Sequence, residues 1–504
     1  MTSVFDAGPF APCPAPFNMA AHVLDAGRGV PSKDALLVVG DAQVERWSYA
    51  DIRRAVLGTA TGLLRCGLTA GDLVLMRMGN TVDFPVAYLG ALAAGMVPVP
   101  TSSALTERET AYIIDLLEPK AVLHAQDVPC VAHPLIVDSD TLSAWRALPE
   151  ADFHMGDPNR LGYVIFTSGT SGQPRAVAHA HRAIWARQMM FEDWYGLTAQ
   201  DRVLHAGAFN WTYTLGTGLM DPWTVGATAM IAIPGMDADQ IPGLLAKHRA
   251  TLFAAAPGVY RQMLKTQPFP NLPKLRHGLS AGETLPQSTA DHWRKATGCE
   301  VFEAYGMSEC STFISQAPPH RAPAGTMGKP QRGRRIALLQ DGMPVPKGRE
   351  GTIAVHRSDP GLMLEYLGAP EATANRMSGE WFLTGDQAIM QPSGDMIYKG
   401  RDDDMMNAGG FRVSPIEVEK VLADVEGIGA VAVTEVEIKP DTFVIAAFYA
   451  APAALDEAVL RSYVSHNLAR YKQPRLFIHL PELPLGANGK ILRRSLRAQF
   501  KRSQ

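Results

Sequence analysis

Cysteine is scarce. The 504-residue chain holds 5, Cys13, Cys66, Cys130, Cys299 and Cys310, an odd number without a Cys-x-x-Cys pair. A disulfide framework and a thiolate zinc or redox pair are thereby excluded, and a reducing compartment fits. No apolar run approaches the ~20 residues that a membrane helix needs, and residues 1–6 lack the basic start and apolar core of a signal peptide. An excess of one charge is missing too: 47 Lys and Arg stand against 50 Asp and Glu, a formal net charge of −3. No global field therefore favours nucleic acid or an anionic membrane. The basic end, Arg493, Arg494, Arg497, Lys501 and Arg502, reads as a solvated tail. Internal repeats and low-complexity stretches are absent. A soluble cytoplasmic protein is expected, too long for one core and hence of at least two domains.

What is present is alternation. From 35 to about 280, short β-type runs (35–39, 73–76, 97–100, 121–124, 135–137, 163–166, 202–205, 227–233 and 251–255) are separated by amphipathic segments, among them 50–64, 82–94 and 181–194. This predicts an α/β fold, a large N-terminal domain of parallel-rich sheets covered by helices. After about residue 325, Gly and Pro punctuate short β runs at 352–355, 381–383 and 396–398, a β-rich subdomain. Beyond Arg401-Asp402-Asp403-Asp404 comes a small α+β pattern: helix 414–422, strands 431–436 and 443–448, helix 455–468 and strand 476–480. The expected division is 1–402 and 403–504.

Within 163–177, an apolar run empties into Thr167, Ser168, Gly169, Thr170, Ser171 and Gly172, with Arg175 following and a helical segment expected next. The hydroxyls can donate to anionic oxygens, and the glycines let backbone N–H groups turn inward, which makes a phosphate cradle. It is not a Walker A loop, because Gln173-Pro174-Arg175 stands where Gly-Lys-Ser/Thr is required. A second pattern, Gly278-Leu279-Ser280-Ala281-Gly282, matches the Gly-x-Ser-x-Gly nucleophile elbow. An elbow needs a helix starting almost at its serine, and residues 283–286 delay that helix.

The order Thr-Ser-Gly-Thr-Ser-Gly-x-Pro-basic resembles the phosphate loop of the adenylate-forming enzymes, the superfamily of acyl-CoA synthetases, luciferases and peptide-synthetase adenylation domains. Later segments follow in that superfamily's order and cover about 160–495. Residues 301–309 look like its Tyr-Gly-x-Thr-Glu signature, 384–386 its Thr-Gly-Asp, 400–404 its Gly-Arg-x-Asp-Asp hinge, and 484–493 its closing Gly-Lys motif. The resemblance implies that Gly282, Glu283 and Thr284 border the adenine with Glu303, Ala304 and Tyr305. A tyrosine ring suits purine stacking, a hydroxyl at Ser308 the α-phosphate, and the carboxylate of Glu309 the hard cation Mg2+. Asp386, Tyr398 and Arg401 fall at the ribose, Asp403 at the pivot, Gly409, Gly410 and Arg412 at the thiol's tunnel, and Lys490 is the adenylation lysine. This sequence departs from the pattern at Arg175-Ala176 for Lys-Gly, at Ser308 for Thr, and at Gly486 and Asn488.

The function implied is an ATP-dependent acid–thiol ligase using Mg2+ and coenzyme A, which forms an acyl-adenylate, then a thioester, as the small domain swings about Asp403. In relatives acting on acetate or propionate a Trp occupies the position of Gly306, so an acyl group larger than propionyl is expected, a medium-sized aliphatic or aromatic acid. Phe209, Asn210, Trp211 and Tyr213 are candidate pocket walls, with Gly216 and Gly218 leaving space. His179 and His181 read as helix-start residues. Expected partners are the small acid, ATP and CoA, with no nucleic acid, no membrane insertion and a homodimer left open. A stand-alone adenylation enzyme loading a carrier protein, a binding or structural protein, and a Ser280 esterase are the other classes considered.

Overall fold

Apolar runs that are buried on both faces become parallel strands, and their amphipathic partners become the helices that cover them. The computed structural model describes residues 1–41, 43–167, 175–266, 268–319, 321–404, 406–408, 411–439, 442–468, 470–486 and 491–503. These form two compact units, one of residues 5–336 and 355–382, the other of 1–4, 337–354 and 383–504.

The larger unit holds a nine-stranded sheet in the order Lys329–Pro330, Ser311–Ser315, Val301–Met307, His277–Ala281, Leu252–Ala255, Arg202–His205, Thr228–Ala232, Asp34–Val39, Val44–Ser48. From Val301–Met307 to Asp34–Val39 the neighbours are parallel, and the outer strands turn antiparallel. A four-stranded sheet, Val97–Pro100, Leu73–Arg77, Ala121–His124 and Ile136–Asp138, is wholly parallel. The α/β expectation holds, and each of the nine predicted strands before 260 is found within two residues of its bounds. Helix starts are legible as caps. Ser48 accepts the Asp51 N–H at 3.1 Å while Asp51 accepts the Ser48 N–H, and Thr106 and Glu109 repeat this reciprocal arrangement ahead of Glu107–Leu117.

Two expectations fail here. The hydroxyl-rich loop does not run into a helix: Leu161–Thr167 pairs antiparallel with Arg175–Ala180, Thr167 facing Arg175. The small residues of 175–180 are buried on both faces, and a neighbouring edge gives their backbone a partner. His179 is therefore a strand residue. The helix expected over 181–194 shrinks to Ala183–Ala186 and a π turn at Phe191–Tyr195, where Trp194 donates to the Phe302 carbonyl at 3.0 Å. Tertiary burial of the aromatics overrides the helical pattern.

In the smaller unit, residues 386–390 and Met396–Arg401 pair antiparallel. Beyond them Ala430–Lys439, Thr442–Ala450 and Leu476–Leu480 form a three-stranded sheet. One core cluster unites it with Pro415–Ala423 and Glu457–Asn467. A second takes Leu496 and Phe500 of the helix Arg493–Ser503. The basic end is thus a packed amphipathic helix with Leu496 fully buried, and the solvated-tail reading is corrected.

Candidate active site

The strand Val301–Met307 ends in a turn that carries Ser308 and Glu309. Glu309 is buried, and its carboxylate accepts the Tyr366 hydroxyl at 2.6 Å. The backbone locks the same point, since the Met363 N–H donates to the Glu309 carbonyl at 2.7 Å. Arg175 lies with its guanidinium carbon 5.1 Å from the centre of the Tyr366 ring. A carboxylate, a phenol and a guanidinium from three separate stretches therefore form one cluster. Burial first, and then the Glu309 carboxylate, pushes the Tyr366 hydroxyl above its usual range, so it stays a donor. Tyr366 carries no motif and went unrecognised in the sequence. Thr167 ends its strand opposite Arg175, and residues 168–172 lie outside the described residues.

A second strip runs along the ends of the parallel strands. Gly282 has φ +96°, a conformation that favours glycine, and a Cβ there would lie 2.9 Å from the Trp211 ring. Trp211 thus covers Gly282. Glu303, next in line, accepts the Leu285 N–H at 3.0 Å, and burial raises its carboxyl to about 7. Ala304 is buried beside it, and the Tyr305 ring meets Phe313 edge-on at 5.3 Å. Glu283 and Thr284 follow Gly282 in the same turn.

The candidate acyl walls divide. Tyr213 is core: its hydroxyl donates to the Leu279 carbonyl at 3.0 Å, with Trp194 and His205 against the ring. Phe209 stacks on Phe84, held by its N–H to Asn80. Asn210 and Trp211 are half-buried. Gly216 and Gly218 do not leave open space. A Cβ on Gly216 would lie 2.2 Å from the Arg187 guanidinium, and one on Gly218 2.6 Å from His205. Arg187 is buried with Asp221, which accepts from Nε at 2.8 Å and from Nη2 at 2.6 Å. Gly306 sits at a bulge where a Cβ would lie 2.2 Å from the Ser311 carbonyl oxygen, so the backbone itself excludes a side chain. Ser280 is no nucleophile elbow: it lies inside His277–Ala281, fully buried, and among the described residues its hydroxyl has no hydrogen-bond partner and hence no base.

In the smaller unit, Asp386 and Arg401 face each other across the hairpin, and the Tyr398 hydroxyl donates to Asp386 at 3.0 Å. Burial, then the Asp386 carboxylate, raises the Tyr398 phenol. Asp403 lies in the turn Asp402–Asp404, and Arg412 in the strand Phe411–Val413. Gly409, Gly410 and Lys490 lie outside the described residues. Ser414 does not cap the helix Pro415–Ala423. Its hydroxyl donates instead to the Lys399 carbonyl, and proline at the first helical position leaves one fewer N–H to cap.

Residues 25–367 match the AMP-binding enzyme model, and 417–490 match the AMP-binding enzyme C-terminal domain. The chain belongs to the AMP-binding enzyme family. It is 30% identical to a benzoate–CoA ligase of Thauera aromatica over 86% of each chain. A mitochondrial acyl-coenzyme A synthetase of Rattus norvegicus is 28% identical over 95% of this chain and 90% of its own. Among solved structures, an anthranilate CoA ligase in complex with anthranoyl-AMP superposes with a TM-score of 0.89 at 25% identity, over 98% of this chain and 99% of the other. The protein is accordingly an AMP-forming acid–CoA ligase, of a class that uses ATP, Mg2+ and coenzyme A.

For this AMP-binding enzyme the donor set suits Mg2+. Among the described residues no group of three or more His, Cys, Asp or Glu converges as a metal cage. Glu309 offers one fixed carboxylate, and Mg2+ is commonly held by one or two carboxylates together with substrate phosphates and water. Among the described residues, no helix is long and apolar enough to cross a membrane.

Proposed function

We propose that the enzyme converts a medium-sized acid, aromatic or aliphatic, to its CoA thioester through an acyl-adenylate. The observation that carries the reading is the cluster of Glu309, Tyr366 and Arg175 beside Ser308, a pre-oriented carboxylate next to a cation and a hydroxyl. The likeness to a benzoate and an anthranilate ligase supports an aromatic acid. In the first step a carboxylate oxygen attacks the α-phosphorus of ATP, and the bond to pyrophosphate breaks. In the second the thiol sulfur attacks the acyl carbon, and AMP leaves.

The obstacle in the first step is electrostatic, an anion approaching a polyanion. Arg175 and Lys490 supply positive charge, Ser308 a donor, and loss of one such donor costs ~3 kcal/mol, about a hundredfold in rate. Glu309 would hold Mg2+, whose charge neutralises phosphate oxygens. Gly282, Glu283, Thr284, Glu303, Ala304 and Tyr305 are assigned to the adenine, Asp386, Tyr398 and Arg401 to the ribose. Asp403 is assigned as the hinge between residues 1–402 and 403–504, and Gly409, Gly410 and Arg412 to the thiol. A pyrophosphate-release screen over linear, branched and aromatic acids, with and without CoA, is the test. Lys490→Ala should abolish ATP-dependent adenylate formation and leave thioesterification of presynthesised acyl-AMP largely intact; equal loss of both steps would reject this division of roles.

A further inference from the structure

Away from the residues assigned to nucleotide, acid and thiol, the larger unit carries a half-open cavity of about 440 Å3, walled among others by Phe10, Pro12, Cys13, Pro158, Arg182 and Pro360. That volume falls in the range of small-molecule sites. We propose that the cavity binds a small organic anion, a carboxylate on an apolar body, at a site separate from the reaction. The inference does not rest on the ligase reading above.

Three observations build the site. Arg182 is a cation without a carboxylate of its own: Nε donates to Asn159 Oδ1 at 2.8 Å and Nη1 to the carbonyls of Pro360 and Leu362, all neutral acceptors. Among the described residues Nη2 has no hydrogen-bond partner, and it keeps surface open to solvent. Burial holds the guanidinium below its usual range, and the field of Asp359 offsets only part of that. The other charges at the cavity answer one another, Asp359 with Arg334 at 2.6 Å, both side chains fully buried, and Asp6 with Arg335 at 3.2 Å. One positive charge is left over. Its field is felt at a second wall, because burial pushes the Cys13 thiol up to about 11 and Arg182 acts in the opposite direction. The remaining walls are apolar. Pro9, Pro12, Pro158 and Pro360 present rings and no N–H, and Phe10 lies against Trp185, whose Nε1 donates to the Ala11 carbonyl at 2.8 Å.

A carboxylate supplies what the cavity lacks. One of its oxygens accepts from Nη2 in a charge-assisted hydrogen bond, and its charge answers the one left over. A neutral molecule would leave Arg182 without a counterion, and a dianion such as phosphate would find a single uncompensated cation among proline walls that offer no N–H. An apolar body behind the carboxylate covers the proline rings and Phe10, and the area so removed from water favours binding.

Cys13, half-buried in the wall, is a built-in reporter, and the exposed Cys66 is its control. Alkylation of both by iodoacetamide is followed by peptide mass spectrometry in the full-length enzyme without ATP, as benzoate, hexanoate, benzamide or inorganic phosphate is titrated in. Benzoate or hexanoate at about ten times its dissociation constant should slow Cys13 about tenfold and leave Cys66 unchanged. Benzamide, which keeps the shape and lacks the charge, and phosphate, which lacks the apolar body, should protect far less. Arg182→Gln should remove the protection. No slowing of Cys13 by either carboxylate anywhere in the titration, equal protection by benzamide or phosphate, equal slowing of Cys66, or protection that survives Arg182→Gln would overturn the inference. The comparison of benzoate with benzamide uses the unaltered enzyme, so it decides the matter even where Arg182→Gln does not fold.

Discussion

At the scale of single residues, the site divides into what lies in linear motifs and what only folding assembles. Ser308, Glu309 and Asp386 could be nominated from the sequence because each sits in a short string whose chemistry is local. Tyr366 could not, since it reaches Glu309 from 57 positions away and no neighbour marks it. Its bond is the one to test. Tyr366→Phe removes a hydroxyl donating to a buried carboxylate, which should cost about 1.5–3 kcal/mol in urea unfolding and lower pyrophosphate release at limiting Mg2+. A loss under about 0.5 kcal/mol would show that Glu309 finds another donor. Glycines were legible only in part. Gly216 and Gly218 announce that a Cβ is not tolerated, yet not that Arg187 and His205 occupy the room. Gly306 likewise has a reason in its bulge, beside any in the length of the acid.

At the scale of elements, strands were easier to read than their exits. Parallel strands buried on both faces leave continuous apolar runs, whereas 175–180 becomes a strand only because an edge is waiting for it. The terminal helix shows the same limit from the other side: its basic residues suggested solvent, and Leu496 and Phe500 decide otherwise. Two carboxylates help to seat that helix, Asp404 at 3.8 Å from Arg493 and 3.7 Å from Arg497, and Glu419 more closely. Glu419 accepts from Arg493 Nη2 at 2.7 Å and from the Val433 N–H at 2.7 Å, with Arg493 82% shielded from solvent. Glu419→Gln keeps a carbonyl for the Val433 N–H and removes the charge, leaving Arg493 partly buried without its main counterion. About 2 kcal/mol of unfolding free energy should be lost. Lys490 precedes Arg493 by three residues in sequence, so adenylation should slow more than thioesterification of supplied acyl-AMP. Equal slowing would mean that the ion pair only stabilises.

For the molecule as a whole, buried histidines set the response to acid. Burial pushes His179 and His277 down to about 4 and His181 and His205 down to about 3, from an ordinary 6.5. None of them would be protonated in the fold at pH 6, whereas the unfolded chain binds protons there. Folded values below the unfolded one mean that stability is present above 6.5 and lost as pH falls toward 4. Glu303, raised by burial from 4.5 to about 7, works in the opposite direction over that window, one group against four. For these five groups the net slope comes to about 4 kcal/mol per pH unit, against a total stability on the order of 10 kcal/mol; burial pushes His22, His248 and His356 down as well, in the same direction as the four. Urea midpoints should therefore hold steady above pH 7 and fall steeply between 6 and 5. His205 isolates the cause, because both its ring nitrogens are buried without partners among the described residues. His205→Leu should remove one proton from the uptake on unfolding and flatten the decline by about 1.4 kcal/mol per pH unit. A variant that declines as steeply as the parent would show that His205 takes no part in the acid sensitivity.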